Sequence, residues 1–296
     1  MNKFFKLGLI GYPLGHSLSP ILHSAAFQTA SLHGRYDTYP IAPHENDNQL
    51  QEILSRVPTG ELQGLNVTIP HKQAVIPFLD RLTPIAGSVG AVNTIYFKDK
   101  KLVGDNTDAE GFLTDLKRFY KGEPSTALIL GAGGSAHAVA AALLSDDWTI
   151  IIAARRQEQV SALITHIEQI SPDIAMRSSG ISYNQEELKR AVIKCNLVVN
   201  TTPLGMYPQT TALPWLDGVV MPSDVLVYDL VYNPIQTAFV RFSQESGAEG
   251  VNGLGMLVEQ AALSFQLWTG GIPDRDSMYA AARQQLVQKN LWSKGK

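Results

Sequence analysis

Ala127-Leu128-Ile129-Leu130-Gly131-Ala132-Gly133-Gly134-Ser135-Ala136 is an apolar run that breaks into glycines and then opens onto the alanine-rich stretch His137–Leu144. It reads as strand, tight turn, helix. The turn fits G-x-G-x-x-A, and each small residue has a physical job. Gly131 permits the sharp reversal, Gly133 lets the backbone approach a pyrophosphate, and Ala136 lets the helix pack closely on the strand. The first N–H groups of the helix face the anion. Gly131, Ala132, Gly133, Gly134, Ser135 and Ala136 are therefore candidate cofactor-binding residues. A tight βα turn that holds no ligand is the plainer alternative. The next strand, 149–154, ends in Arg155 and Arg156, where an NAD site usually carries an acidic residue for the ribose 2′-hydroxyl. Arginine there suits a 2′-phosphate, which favours NADP with NAD second. Two solvated arginines near Glu158 are the alternative.

The same alternation runs along the rest of the chain. Strands are expected at 6–11, 35–42, 62–69, 127–130, 149–154, 174–177, 196–200 and 225–230. Helices are expected from Ser19, with Ser19 as N-cap and Pro20 in the first turn, and over 46–56, 72–79, 84–89 and 108–120. Segments 91–97 and 101–104 read as a hairpin about Asp99-Lys100. Alternating short strands and helices predict an α/β protein with mostly parallel sheets. The turn-rich stretch 120–125 separates a first α/β unit from a second that begins at the glycine turn, which implies two domains.

Composition excludes several functions. The 296 residues are 45% hydrophobic and 17% charged, as in a folded protein. A net charge of -3 leaves no basic stripe for nucleic acid. No stretch approaches the ~18 apolar residues of a membrane span, and a cytoplasmic location is expected. The one cysteine, Cys195, cannot form an internal disulfide, which suits a reducing compartment, and it reads as a buried structural thiol. His16, His23 and His71 show no metal-ligand spacing, so no metal is expected.

Several ordered segments resemble the shikimate dehydrogenase family, and the likeness covers nearly the whole chain. They are Gly11-Tyr12-Pro13-Leu14-Gly15-His16-Ser17-Leu18-Ser19-Pro20, Asn66-Val67-Thr68-Ile69-Pro70-His71-Lys72, Gly90–Thr94, Gly104–Gly111, Asn200–Met206, Asp229–Pro234 and Asn252–Ala262. The resemblance implies an N-terminal α/β substrate domain over residues 1–108, completed by C-terminal helices in 252–296. A Rossmann-type, doubly wound NADP domain over 109–251 is then an insertion, with the active site in the cleft between the two.

It also implies chemistry. Oxidising a secondary alcohol of shikimate, or reducing 3-dehydroshikimate, moves a hydride to or from the nicotinamide and a proton to or from the protein. The resemblance places that proton transfer at Lys72 and Asp108, without choosing between them. Read alone, Lys72 is a lysine at a helix start and Asp108 an N-cap. Ser17 and Ser19, with Tyr232, are implied for the substrate carboxylate. Asn66, Thr68, Asn93 and Gln260 are implied for ring hydroxyls. Thr201, Met206, Gly253 and Met256 are implied on the cofactor side, core packing being an equal reading of the two methionines.

The chain departs from the family at Ala154-Arg155-Arg156, where Asn-Arg-Thr or Asn-Arg-Ser is common. Members that accept NAD often have Asp after Arg-Arg, and here Gln157 stands in that place. The close alternative is a shikimate/quinate dehydrogenase using NAD or both cofactors. A catalytically silent dinucleotide sensor and a folate-directed relative are the more distant ones. Monomer and homodimer are both compatible with the sequence.

Overall fold

The computed structural model describes residues 3–43 and 47–293. The chain divides into two compact units. One comprises residues 1–111 with 257–285, the other 112–256 with 286–296. The expected boundaries at 108/109 and 251/252 fall a few residues from these, and the segment from 286 on groups with the second unit.

In chain order the first elements are β1 (Phe4–Gly11), α1 (Ser19–Thr29), β2 (His33–Pro40), α2 (Asp47–Ser55), β3 (Gly64–Val67), β4 (Arg81–Leu82), α3 (Pro84–Val89), β5 (Thr94–Lys98), β6 (Lys101–Asp105) and α4 (Asp108–Phe119). They form a six-stranded sheet ordered β2-β1-β3-β5-β6-β4. This sheet is mixed: β1 runs parallel to β2 and β3, while β5 is antiparallel to β3 and β6. The antiparallel pair is the hairpin read from the sequence. Asp99 and Lys100 take φ of 52° and 59°, the left-handed pair that a tight two-residue hairpin turn requires. Ile10, Leu50, Leu65, Val67, Val92 and Ile95 pack into one core on the α2 side.

Two helix expectations fail here. Ser19 does not cap α1; Leu18 occupies the N-cap with no side-chain bond, and Ser19 is already helical. Residues 72–79 are turns followed by a short 3-10 segment, Ile76–Phe78, because Pro77 removes a donor from any longer helix. Asn46, the expected start of α2, lies outside the described residues.

The remaining elements are β7 (Thr126–Leu130), α5 (Gly134–Ser145), β8 (Thr149–Ala154), α6 (Gln157–Ile170), α7 (Pro172–Ala175), β9 (Ser178–Ser182), α8 (Gln185–Val192), β10 (Leu197–Asn200), β11 (Leu226–Asp229), α9 (Ala238–Glu245), β12 (Glu249–Asn252), α10 (Leu254–Thr269) and α11 (Arg275–Ser293). The second sheet is ordered β12-β11-β10-β7-β8-β9, and every pair in it is parallel. Counted within the unit this is 6-5-4-1-2-3, the doubly wound dinucleotide-binding order. The strand order reverses between β7 and β10, so the Gly131 turn stands at the crevice where such sheets bind ligands. β7 and β10 are buried along nearly their whole length, as expected of parallel strands covered on both faces.

The strand expected at 174–177 is instead the end of α7. Ser171 caps that short helix through Ile174 N, Pro172 starts it, and the strand begins at Ser178. No helix among the described residues is long and apolar enough to cross a membrane.

Candidate active site

The polar centre of the first unit is built on three structural anchors. β3 ends at Val67 and carries Asn66. A turn follows, in which Val92 N donates to Lys72 O at 2.8 Å and ties the Lys72 backbone to the approach to β5. α4 starts beside them and carries Asp108. Asn106 caps α4, its Oδ1 accepting from the N–H groups of Asp108 (3.0 Å) and Ala109 (3.2 Å). The Asp108 carboxylate is thereby released from capping duty, which corrects the N-cap reading.

Lys72 Nζ donates to Asp108 Oδ2 at 2.6 Å. The side chains retain only 13% and 7% of their exposure. The other oxygen, Oδ1, accepts from Asn93 Nδ2 at 2.8 Å. Asn93 is itself locked: Nδ2 also donates to Thr107 Oγ1 at 2.9 Å, and Oδ1 accepts from Thr107 N at 2.8 Å. Gln260 Oε1 lies 3.5 Å from the same Asn93 nitrogen. A buried carboxylate held on both oxygens keeps one orientation, and so does the ammonium beside it.

Asn66 forms the second half of the cluster. Its Nδ2 donates to Asn93 O at 3.0 Å and to Ser264 Oγ at 3.1 Å, while Oδ1 accepts from the Tyr36 hydroxyl at 2.8 Å. With both amide protons engaged, Asn66 has only Oδ1 left to offer a further group, and only as an acceptor. Ser264 Oγ also contacts the Thr94 and Thr107 hydroxyls at 2.7 and 3.0 Å. Ser19 bonds to the Tyr36 hydroxyl, and its own N–H donates to Ser17 Oγ at 3.2 Å. Thr68 stands beside the start of the serine loop, where Tyr12 N donates to Ile69 O at 2.9 Å.

Of the residues read from sequence, Lys72, Asp108, Asn93, Gln260, Asn66, Ser19 and, through the Ser19 N–H, Ser17 thus join in one network. Tyr36, Thr94, Thr107 and Ser264 join it without having been read as site residues. Behind them His23 stacks on the Tyr36 ring, with centroids 4.1 Å apart and planes 6° from parallel. Burial pushes the His23 imidazole down to about 3, so it is neutral, and burial pushes the Tyr36 phenol well up.

The second unit carries the nucleotide turn. Gly131 has φ of 112°, and a Cβ there would lie 2.5 Å from Thr201 Oγ1, so glycine is required on both counts. Thr201 Oγ1 donates to Leu130 O at 2.8 Å and closes the turn from β10. A Cβ on Gly133 would meet nothing within 4 Å, so open space lies over the start of α5. That helix has no side-chain cap, and its first N–H groups are available to an anion. Ala136 is fully buried against the sheet. Arg155 and Arg156 are exposed at the end of β8, and Arg156 is the uncapped N-cap of α6. Gln157 turns back onto Ala154 O at 2.9 Å and adds no negative charge beside them. The donor set fits a dinucleotide that carries a further phosphate.

Comparison with known proteins agrees. Residues 9–95 match the family model "Shikimate dehydrogenase substrate binding domain", and residues 253–283 match "Shikimate 5'-dehydrogenase C-terminal domain". The shikimate dehydrogenase (NADP(+)) of Desulforamulus reducens is 40% identical over 284 residues, 95% of each chain. The chain belongs to the shikimate dehydrogenase family. Among solved structures, the family member from Thermus thermophilus, in complex with NADP(H) and shikimate, has a TM-score of 0.82 at 33% identity, with 95% of this chain and 99% of that chain covered. The quinate dehydrogenase of Corynebacterium glutamicum, in complex with NAD, has a TM-score of 0.83 at 29% identity, covering 94% and 99%.

The other family-motif residues of the second unit separate by environment. Met206 is exposed on its loop, whereas Met256 is buried. Gly253 approaches the Leu230 backbone so closely that a Cβ would overlap Leu230 O, which by itself demands glycine. Tyr232 belongs to this unit, and burial pushes its phenol up.

The Thr201–Met206 loop is organised by Asp229. Asp229 Oδ1 accepts from Asn200 Nδ2 at 2.7 Å, and Asn200 Oδ1 accepts from the Thr202 N–H and hydroxyl. The carboxyl is pushed up from 3.8 to about 6, chiefly by burial, against hydrogen bonds from Thr237, Val231 and Asn200. The folded state therefore keeps a proton that the unfolded chain releases across that interval. This group stabilises the fold most at the acid end, and the contribution is lost as pH rises through about 6. The stability advantage of wild type over Asp229→Asn should shrink by about 3 kcal/mol between acid and neutral pH, measured by urea unfolding. A difference that stays flat, or grows with pH, would refute the raised pKa.

Proposed function

We propose that this chain catalyses the reversible NADPH-dependent reduction of 3-dehydroshikimate to shikimate, a step of aromatic amino acid biosynthesis. The observation that carries the reading is the buried Lys72–Asp108 pair, with Asn93 fixing the second carboxylate oxygen. NADPH, when bound, supplies the hydride. The Gly131–Ala136 turn holds its pyrophosphate, and Arg155 with Arg156 holds the 2′-phosphate. Thr201, Met206, Gly253 and Met256 complete the cofactor assignments.

The chain's own chemistry is proton transfer and charge stabilisation. The Lys72 ammonium meets the carbonyl oxygen as negative charge develops on it, and the Lys72–Asp108 pair delivers the proton. Ser17 and Ser19 hold the ring carboxylate, with Tyr232 as third donor by motif. Asn66 and Thr68 take ring hydroxyls, as does Gln260. Asn93, expected from the motif to meet a ring hydroxyl, has its amide group committed to Thr107 and Asp108 and acts through the Asp108 carboxylate. A reducing cytoplasmic setting suits a chain whose one cysteine is free and buried.

Mixing protein, NADP and shikimate and following nicotinamide absorbance tests the activity. The expected result is steady reduction of NADP that depends on shikimate. Cofactor binding without turnover would make the chain a sensor, and turnover of a folate in place of shikimate would move it to another dehydrogenase class.

A second reading, oxidation of quinate with NAD, is favoured by the likeness to the Corynebacterium glutamicum enzyme. Quinate adds a hydroxyl beside the carboxylate, and a pocket of this kind rejects an added hydroxyl poorly unless a neighbour blocks it.

The Tyr36 hydroxyl links the serine loop to Asn66 and gives a separate test. Tyr36→Phe keeps the stack on His23 and removes one neutral hydrogen bond. It should raise the KM for shikimate about threefold to tenfold, with the KM for NADP and kcat little changed. A mutant with an unaltered shikimate KM would show that Tyr36 does not orient Asn66.

A further inference from the structure

β8 and β9 run parallel, and their register ends with Ala154 beside Ser182. The next residue along each strand is Arg155 on one and Tyr183 on the other. Gln157 clamps the two strand ends: its Nε2 donates to Ala154 O at 2.9 Å and to Ile181 O at 3.1 Å. Arg155 and Tyr183 therefore leave neighbouring strands whose axes lie about 4.8 Å apart. Both stand at the carboxyl ends of the parallel strands, the edge at which such sheets bind nucleotides.

The Tyr183 ring is anchored, whereas its hydroxyl is not. Side chains two apart on a strand share a face, so Tyr183 follows Ile181. Both pack against the core that contains Ala153, Leu188, Trp215 and Phe239. The Tyr183 hydroxyl has no hydrogen-bond partner among the described residues. A tyrosine with a packed ring ordinarily turns its hydroxyl to a partner. Burial pushes the Tyr183 phenol up, and the nearby Arg155 guanidinium opposes that rise without cancelling it. The phenol thus keeps its proton at neutral pH and is a donor. A fixed donor and an exposed guanidinium, side by side on adjacent strand ends, suit one anion.

We infer that Tyr183 is a second determinant of cofactor choice, its hydroxyl donating to the same 2′-phosphate that Arg155 pairs with. The inference rests on the NADP reading above and adds a donor to it. A phosphate monoester carries three acceptor oxygens, enough for a bidentate guanidinium and a phenol together. NAD has only a neutral hydroxyl at that carbon, so it gives the phenol no charge-assisted bond to lose.

Isothermal titration of wild type, Tyr183→Phe and Arg155→Ala tests this, with NADP, NAD, adenosine 2′,5′-bisphosphate and AMP as ligands. Phenylalanine keeps the ring against the core and removes one hydroxyl, so the thermal midpoint of Tyr183→Phe should match wild type. Tyr183→Phe should raise the Kd for NADP and for adenosine 2′,5′-bisphosphate about tenfold. The Kd for NAD and for AMP should move by no more than about twofold. An unchanged Kd for NADP, or equal losses for NADP and NAD, would overturn the proposal. Arg155→Ala tells two failures apart. If it discriminates between NADP and NAD while Tyr183→Phe does not, Tyr183 alone drops out. If neither variant discriminates, the 2′-phosphate assignment falls with it.

Discussion

Lys72→Ala should lower kcat by about 10²–10⁴ while the KM for shikimate moves by only a few fold. On the proposed assignments, neutral hydroxyl and amide groups hold the substrate in the ground state. Only as hydride transfer proceeds does its oxygen acquire or lose a charge that the ammonium answers. An interaction of that kind appears in kcat.

Breaking a buried ion pair also costs stability, because Asp108 is left buried with Asn93 as its remaining partner. Two controls separate that loss from a catalytic one. The variant should still bind NADP, since the nucleotide turn lies in the other unit. Lys72→Arg should fold, because a cation again faces Asp108, and yet remain slow, because guanidinium does not surrender its proton at ordinary pH. A kcat for Lys72→Ala equal to wild type would remove Lys72 from the mechanism.

Arg155→Ala should weaken NADP binding about tenfold to a hundredfold and leave NAD nearly untouched. A guanidinium–phosphate contact is charge-assisted and can be bidentate, and NAD has no 2′-phosphate to make it. The effect should fade as salt rises, because Arg155 is exposed. Isothermal titration with both cofactors reads this directly. Equal losses for NADP and NAD would detach Arg155 from the 2′-phosphate.

Much of the second unit was legible because its physics is local. Ala127–Leu130 is apolar throughout, since a central parallel strand is covered on both faces. The first glycine after it is required by the positive φ at Gly131, whereas a Cβ on Gly133 would meet nothing within 4 Å. β9 was misplaced for the opposite reason. Ser178-Ser179-Gly180-Ile181-Ser182 is a polar edge strand with no period-two hydrophobic signal, while the apolar residues just before it form a capped helical turn.

In the first unit the motifs revealed which residues matter but not how they are held. Lys72 and Asp108 are 36 positions apart, and their pairing is a tertiary fact. That Asn106 caps α4, freeing Asp108, depends on a side-chain rotamer that no pattern encodes. Tyr36 and Ser264 stood outside the reading, and His23 entered it only as a residue without metal-ligand spacing, because each looks ordinary in its own segment. They become part of the site only when β2, α1 and α10 are folded around Asn66.

Measuring kcat/KM for shikimate and quinate, each with NADP and with NAD, tests the central claim most directly. The account predicts the highest value for shikimate with NADP. No turnover of shikimate by either cofactor, or a higher value for quinate with NAD, would contradict it.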